Sequence, residues 1–207
     1  MITLYTWATP NGRKVSIMLE ELGLPYVVKT VNISKREQFA PEFAAISPGN
    51  KIPAIVDEEA GRAPLTLFES GAILIYLAEK TGRLLPASGP ERAKALEWLH
   101  WQIGGLDQTL AQFGFFALFS KEKIPAALDR FSAEADRLLG VMDRRLAETA
   151  YLGGQDHSIA DIAAYPWASG ATILLEDKVA GKPHVLAWLE TVGERPAVQR
   201  GMAIPKL

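Results

Sequence analysis

The sequence predicts an α/β unit of about 80 residues followed by an all-helical unit of about 120. Three observations predict this fold class. Strand-type runs occur only up to Phe68, and a proline, serine and glycine cluster, "RLLPASGPERAK", then changes the character of the chain. Beyond that cluster, apolar residues recur only at helical spacing.

Residues Ile2 to Trp7 alternate well enough for a strand, and "YVVKTVNI" (Tyr26 to Ile33) gives a second β-rich run. Between them Val15, Met18, Leu19 and Leu22 share a helical face, with Gly23 and Pro25 as stop signals. In the intervening turn, Pro10 and Gly12 mark a change of direction and Asn11 reads as a helix N-cap. A short charged helix is expected over Lys35 to Ala44, then the turn "SPGNKIP" and the strands "AIVD" (54–57) and "LTLF" (65–68), joined through "EEAG" as a hairpin. In "ESGAILIYLAEKTG", Ile73, Leu74 and Leu77 form a helical face that Gly82 terminates.

These signals place the first domain at 1–82, a linker at 83–90 and the helical domain at 91–207. In the latter, Leu96, Leu99, Ile103, Leu106, Leu110 and Phe113 follow a 3–4 spacing, as do Leu128, Phe131, Ala135, Leu138, Met142 and Leu146. Two long antiparallel helices are expected, the first interrupted by Gly104-Gly105 for close packing or a bend, with shorter helices over 159–175 and 184–193.

Composition narrows the function. An apolar content of 48% supports a hydrophobic core, and 22 lysines and arginines against 24 acids leave no basic field for a phosphate backbone, so no nucleic-acid partner is expected. "MITLYTWATP" lacks a charged leader and an apolar h-region, and no apolar run approaches the roughly 18 residues of a membrane span, so a cytoplasmic protein with no membrane partner is expected. The chain contains no cysteine, which excludes a protein thiolate, a CxxC pair and any cysteine metal ligand. His100, His157 and His184 show no metal-ligand spacing, and no metal is expected. Any thiol chemistry has to come from a bound small molecule.

Several short motifs read two ways. Ser158 and Asp161 in "HSIADIAAYPW" form a capping box, a folding device rather than a general acid. Ser70 in "ESG" either caps the following helix or helps its N-terminus bind a carboxylate. Pro53 in "NKIPAI" either starts a strand in trans or, in cis, exposes the Ile52 backbone to an extended ligand. Thr9 has no neighbouring base and is a poor nucleophile, but Thr9, Asn11 and the helix N-terminus can stabilise an external thiolate. Tyr5 and Trp7 read as packing residues, and the aromatic run "QFGFFALF" (112–119) as core or as an apolar wall for a second substrate.

Together "TPNGRKVSIMLEELGLPY", "QFAPEFAAISPGNKIPAIVD", "LFESGAILIYLAEKTG" and "YLGGQDHSIADIAAYPW" resemble the cytosolic glutathione transferases. The likeness is greatest to the bacterial nu class, which is similar to the globular part of a fungal nitrogen-catabolite regulator. The resemblance implies a thioredoxin-like first domain, a homodimer and glutathione as co-substrate. It assigns Asn50, Lys51 and Ile52 to the glutathione backbone with Pro53 cis, Glu69 and Ser70 to the γ-glutamyl end, Gln38 to the glycine end, and Thr9 and Asn11 to the sulfur. It further implies a glutathione-dependent disulfide reductase acting on a small disulfide. The alternatives are transfer to apolar electrophiles, reduction of organic hydroperoxides, or a noncatalytic glutathione-binding regulator. "LAQFGFF" departs from the more polar, histidine-containing run of related bacterial sequences, which leaves the acceptor open.

Overall fold

Alternation in β1 (Ile2–Thr6) sends Ile2, Leu4 and Thr6 to a buried face and Thr3 and Tyr5 to the other. The computed structural model describes residues 1–59 and 62–206, and the next elements follow the expected order. These are α1 (Pro10–Leu22), β2 (Tyr26–Thr30), α2 (Pro41–Ala44), β3 (Ala54–Asp57), β4 (Leu65–Phe68) and α3 (Ser70–Thr81). The four strands lie in the order β2-β1-β3-β4. β1 and β2 are parallel, as a helical crossover requires, and β1–β3 and β3–β4 are antiparallel. This is a thioredoxin-like unit. The expected "EEAG" hairpin connection includes residues 60 and 61, which lie outside the described residues.

Helices α1 and α3 cover one face of the sheet and bury Val15, Ile17, Met18 and Leu19 with Ile73, Leu74 and Leu77. Each such side chain removed from water contributes about 2 kcal/mol. On the other face Tyr5 packs with Val31, Phe43 and Ala54, its ring 6.1 Å from that of Phe43, in keeping with its reading as a packing residue. The helix expected over Lys35 to Ala44 is shorter. Two 3₁₀ turns, Ile33–Lys35 and Glu37–Phe39, precede α2. They are separated by Arg36 in the left-handed region at φ 63°, and Asn32 Oδ1 accepts from the Ser34 and Lys35 N–H groups, closing the first turn. Pro41 then starts α2 afresh.

The second unit spans Pro86–Gly193. It comprises α4 (Gly89–Trp101), α5 (Gln108–Gly114), α6 (Pro125–Glu148), α7 (Ile159–Leu174), α8 (Glu176–Val179) and α9 (Pro183–Gly193). The glycine pair Gly104-Gly105 sits in a π-helical stretch, Gln102–Asp107, between α4 and α5, so the expected interruption is a widening of the helix. Phe115–Phe119 forms a second π-helical turn. There Phe116 stacks on Phe131, whereas Phe115, Leu118 and Phe119 are exposed, so this run is only partly core.

The last helix, α10 (Pro196–Met202), belongs with the first unit, which is Met1–Leu85 together with Glu194–Leu207. It packs against α1, where Ser16 Oγ donates to the Gly201 carbonyl at 2.7 Å. A Cβ at position 201 would lie 2.5 Å from Ile17 Cα, so only glycine allows this approach. Arg195 and Arg200 add ion pairs to Glu21 and Glu20.

Candidate functional site

Strand register gathers the candidate residues. Tyr5 is opposite Ala54 in the β1–β3 ladder and Ala54 is opposite Phe68 in β3–β4, while Thr6 aligns with Thr30 in the parallel pair. The chain therefore leaves β1 toward Thr9 and Asn11, leaves β2 toward Gln38, enters β3 from Asn50–Pro53 and leaves β4 into Glu69 and Ser70, all at one end of the sheet. Four separate chain segments therefore enter or leave the sheet at that end.

Thr9, not Asn11, is the N-cap of α1. Pro10 and Asn11 are the first two helical residues, and proline suits that position because it has no N–H to leave unpaired. Thr9 Oγ1 accepts from the Gly12 N–H at 3.1 Å, which leaves the hydroxyl proton for another acceptor. A Cβ on Gly12 would come within 2.4 Å of both Thr6 Oγ1 and the Trp7 carbonyl, so glycine lets the helix start tight against the end of β1.

The Ile52–Pro53 bond is cis. The β3 ladder begins at Ala54, so the Ile52 backbone lies just beyond its last paired residue. Ser47, itself buried, donates its hydroxyl to the Lys51 carbonyl at 2.9 Å, and the Asn50 N–H bonds the Ser47 carbonyl. These bonds hold the turn in shape while the Lys51 side chain faces solvent.

At the start of α3, the capping alternative for Ser70 is not the one found. Glu69 occupies the cap position at φ 69° and ψ 113°, and no side chain caps the helix. A positive φ at a glutamate is strained by roughly 1–3 kcal/mol. Ser70 is the first helical residue and is buried. An uncapped helix N-terminus presents N–H donors and a partial positive charge, suited to a carboxylate, and the exposed Glu69 carboxylate beside it suits an ammonium. Gln38 adds an acceptor: its Oε1 is buried with no hydrogen-bond partner and calls for a donor such as a peptide N–H.

Asp161 behaves as expected of a folding device. The Ser158 hydroxyl accepts from Ala160, and the Asp161 carboxylate accepts from the backbone N–H groups of Leu152 and Ser158, the Ser158 hydroxyl and Trp188 Nε1. Burial pushes this carboxyl above its ordinary range, and the four donors work against that.

Arg13, in the first turn of α1, carries no motif that marks it in the sequence; its Nε is buried with no hydrogen-bond partner. Among the described residues no three histidine, cysteine, aspartate or glutamate side chains gather to hold a metal. No helix described is long and apolar enough to cross a membrane.

A thioredoxin-like unit whose strand ends present peptide-complementary groups, joined to an all-helical unit, defines a class, and comparison with known proteins assigns it. The glutathione S-transferase N-terminal domain family matches residues 8–80 and the C-terminal domain family matches residues 106–196. The chain belongs to the cytosolic glutathione transferase family. It is 47% identical to the disulfide-bond oxidoreductase YfcG of Escherichia coli, over 98% of this chain and 94% of that one. A glutathione transferase family member of Pseudomonas fluorescens, solved with two glutathione bound, superposes with a TM-score of 0.93 at 45% identity, covering 99% of this chain and 93% of the other. A glutathione transferase of Pseudomonas putida, with one glutathione disulfide bound per subunit, gives 0.90 at 44% identity, covering 99% and 91%.

Proposed function

We propose that this protein is a glutathione-dependent disulfide-bond oxidoreductase whose reacting sulfur belongs to glutathione. The observation that carries the reading is the convergence, by strand register, of the α1 N-terminus, the Asn50–Pro53 turn and the uncapped α3 N-terminus in a chain without cysteine. Glutathione supplies two carboxylates, one ammonium, two peptide groups and a thiol. In this reading the α3 N-terminus and Ser70 take the γ-glutamyl carboxylate and Glu69 takes its ammonium. The Ile52 backbone pairs with the peptide as an added strand would, with Pro53 fixing the entry to β3. Asn50 and Lys51 flank it, and Gln38 accepts from the amide next to glycine.

Thr9 donates its spare hydroxyl proton to the sulfur, and Asn11 adds an amide donor, so negative charge there is stabilised as the thiol ionises. Two glutathione molecules supply the two electrons and end as glutathione disulfide, while the substrate leaves as two thiols. The protein's own part is to bind, orient and stabilise charge, with no thiol of its own consumed. The likeness to YfcG and to the solved relatives that hold glutathione or its disulfide supports this reading. We further propose a homodimer in the cytoplasm, which sedimentation and cell fractionation test.

Glutathione oxidation coupled to hydroxyethyl disulfide is expected to run well above the uncatalysed rate; a rate equal to background ends the reductase reading. Asn11→Ala is expected to lower kcat by about tenfold with a smaller change in glutathione affinity, since it removes a donor that acts mainly on the thiolate. A second reading rests on the exposed Phe115, Leu118 and Phe119 of the helical unit, which suit an apolar electrophile or hydroperoxide. Product analysis with matched disulfide, hydroperoxide and chloronitroaromatic substrates ranks these uses.

A further inference from the structure

We propose that the Asn11–Gly12 peptide is a deamidation site that the fold holds closed, and that its slow conversion sets the working life of the proposed glutathione site. The conversion rests on the turn alone, whereas its effect on turnover rests on the assignment of Asn11 to the sulfur. Of the three asparagines in the chain, Asn32 precedes Ile33 and Asn50 precedes Lys51, so only Asn11 is followed by glycine. Without a Cβ, glycine leaves its nitrogen open to the preceding side chain. Once hydroxide removes its proton, the Gly12 nitrogen attacks the Asn11 side-chain amide carbon, ammonia leaves, and a cyclic succinimide forms. Water then opens the ring at either carbonyl and gives aspartate or isoaspartate.

Packing explains why the sequence keeps this hazard. A Cβ at position 12 would lie 2.4 Å from both Thr6 Oγ1 and the Trp7 carbonyl oxygen, so the glycine cannot be exchanged. The same packing restrains the reaction. Gly12 is buried and its N–H donates to Thr9 Oγ1 at 3.1 Å, which keeps hydroxide from the proton. Asn11 is already helical, and a helical side chain leans toward the N-terminus, away from the following nitrogen. Ring closure therefore waits for the start of α1 to open, as helix ends do more readily than helix centres. Asn11 itself is only partly buried, so water can reach the imide. The product replaces a neutral donor with a carboxylate, which only accepts and which repels a thiolate.

The test incubates the protein at mildly alkaline pH and follows each asparagine by peptide mapping that separates asparaginyl, aspartyl and isoaspartyl forms. Wild type is compared folded, folded with saturating S-methylglutathione, and unfolded in urea, beside folded Thr9→Val and Thr9→Ser. Asn11 is expected to convert while Asn32 and Asn50 stay intact, at least about tenfold more slowly in the folded than in the unfolded chain. Thr9→Val removes the cap and is expected to speed the folded rate about fivefold, whereas Thr9→Ser keeps it near wild type. Turnover with hydroxyethyl disulfide is expected to fall in step with the loss of Asn11, and S-methylglutathione to slow that loss by covering the turn.

An Asn11 that stays intact in the folded protein, conversion of Asn32 or Asn50 ahead of it, or equal rates folded and unfolded overturns the proposal. A Thr9→Val rate equal to wild type removes the cap as the restraint. Should Thr9→Val not fold, the folded-to-unfolded ratio of the wild type decides. If Asn11 converts but turnover survives its complete loss, the modification site stands, and the working-life claim falls together with the assignment of Asn11 to the sulfur. Conversion that S-methylglutathione leaves unslowed likewise places the sulfur away from this turn.

Discussion

Two helix starts in this molecule handle the same physical problem in opposite ways. At α7, Ser158 and Asp161 satisfy the first N–H groups, and the Asp161 carboxylate also takes Trp188, with both residues buried. At α3 no side chain caps the helix, the cap residue Glu69 sits in a strained backbone conformation, and its carboxylate faces solvent. A start that is satisfied internally holds the fold together, whereas one left open at an energetic cost is available to a ligand. The presence of a serine does not separate the two cases, because both starts have one. What separates them is whether that serine's oxygen bonds to its own helix.

The largest expected effect breaks the closed start. Asp161→Ala strands four buried donors and is expected to lower stability by about 3 kcal/mol or more, read as a fall in the urea midpoint. Asp161→Asn, which keeps one accepting oxygen, should lose less.

Ser70→Ala tests the open start. It is expected to weaken glutathione binding by about 1–1.5 kcal/mol while leaving stability within about 0.5 kcal/mol. The reverse pattern, a stability loss of about 1 kcal/mol with binding intact, would make α3 an ordinary capped helix and erase the contrast.

Glu69→Gly sharpens it further. Glycine accepts a positive φ more readily than glutamate, so this variant should gain up to about 1 kcal/mol of stability and lose glutathione affinity. A variant that loses both would show that Glu69 is not strained for function.

The smallest effect concerns the far half of α3, which is tied down. Asp57, at the end of β3, accepts from Tyr76 at 2.7 Å and pairs with Lys80 at 2.9 Å. Burial pushes the Asp57 carboxyl up, but the bonds from Lys80 and Tyr76 outweigh it and hold the group below its ordinary value of 3.8. A carboxyl lowered in the folded state adds stability that is present above that value and is lost as pH falls through the folded pKa. Asp57→Asn is therefore expected to flatten the loss of stability below about pH 4, by less than about 1 kcal/mol because water screens part of the pair. An unchanged acid limb would remove Asp57 as its source.

Periodicity made β1, α3 and α6 legible, because each buries one face over enough residues for the repeat to show. α10 did not show: seven residues with Val198 and Gly201 buried make too short a pattern, and its partner α1 is far away in sequence. The break at Arg36 was hidden because an arginine in the left-handed region carries no sequence mark, unlike a glycine or asparagine. The capping box at Ser158 could be read locally, since its partners are three residues apart. The convergence of Thr9, Ile52 and Ser70 could not, because it depends on strand register, and the family resemblance stood in for it. The orphaned Arg13 and Gln38 atoms are facts of packing alone.

The docking of α10 on α1 has a consequence for how the protein is made. A ribosome delivers residues 1–85 first and residues 194–207 only after the intervening helices, so the first unit stays incomplete through most of synthesis. The helix that opens with Thr9 and Asn11 waits for Gly201 to settle against Ile17 before its outer side is covered. A nascent chain stalled before that point would carry every residue of the proposed glutathione site and still present a half-exposed helix to chaperones and proteases.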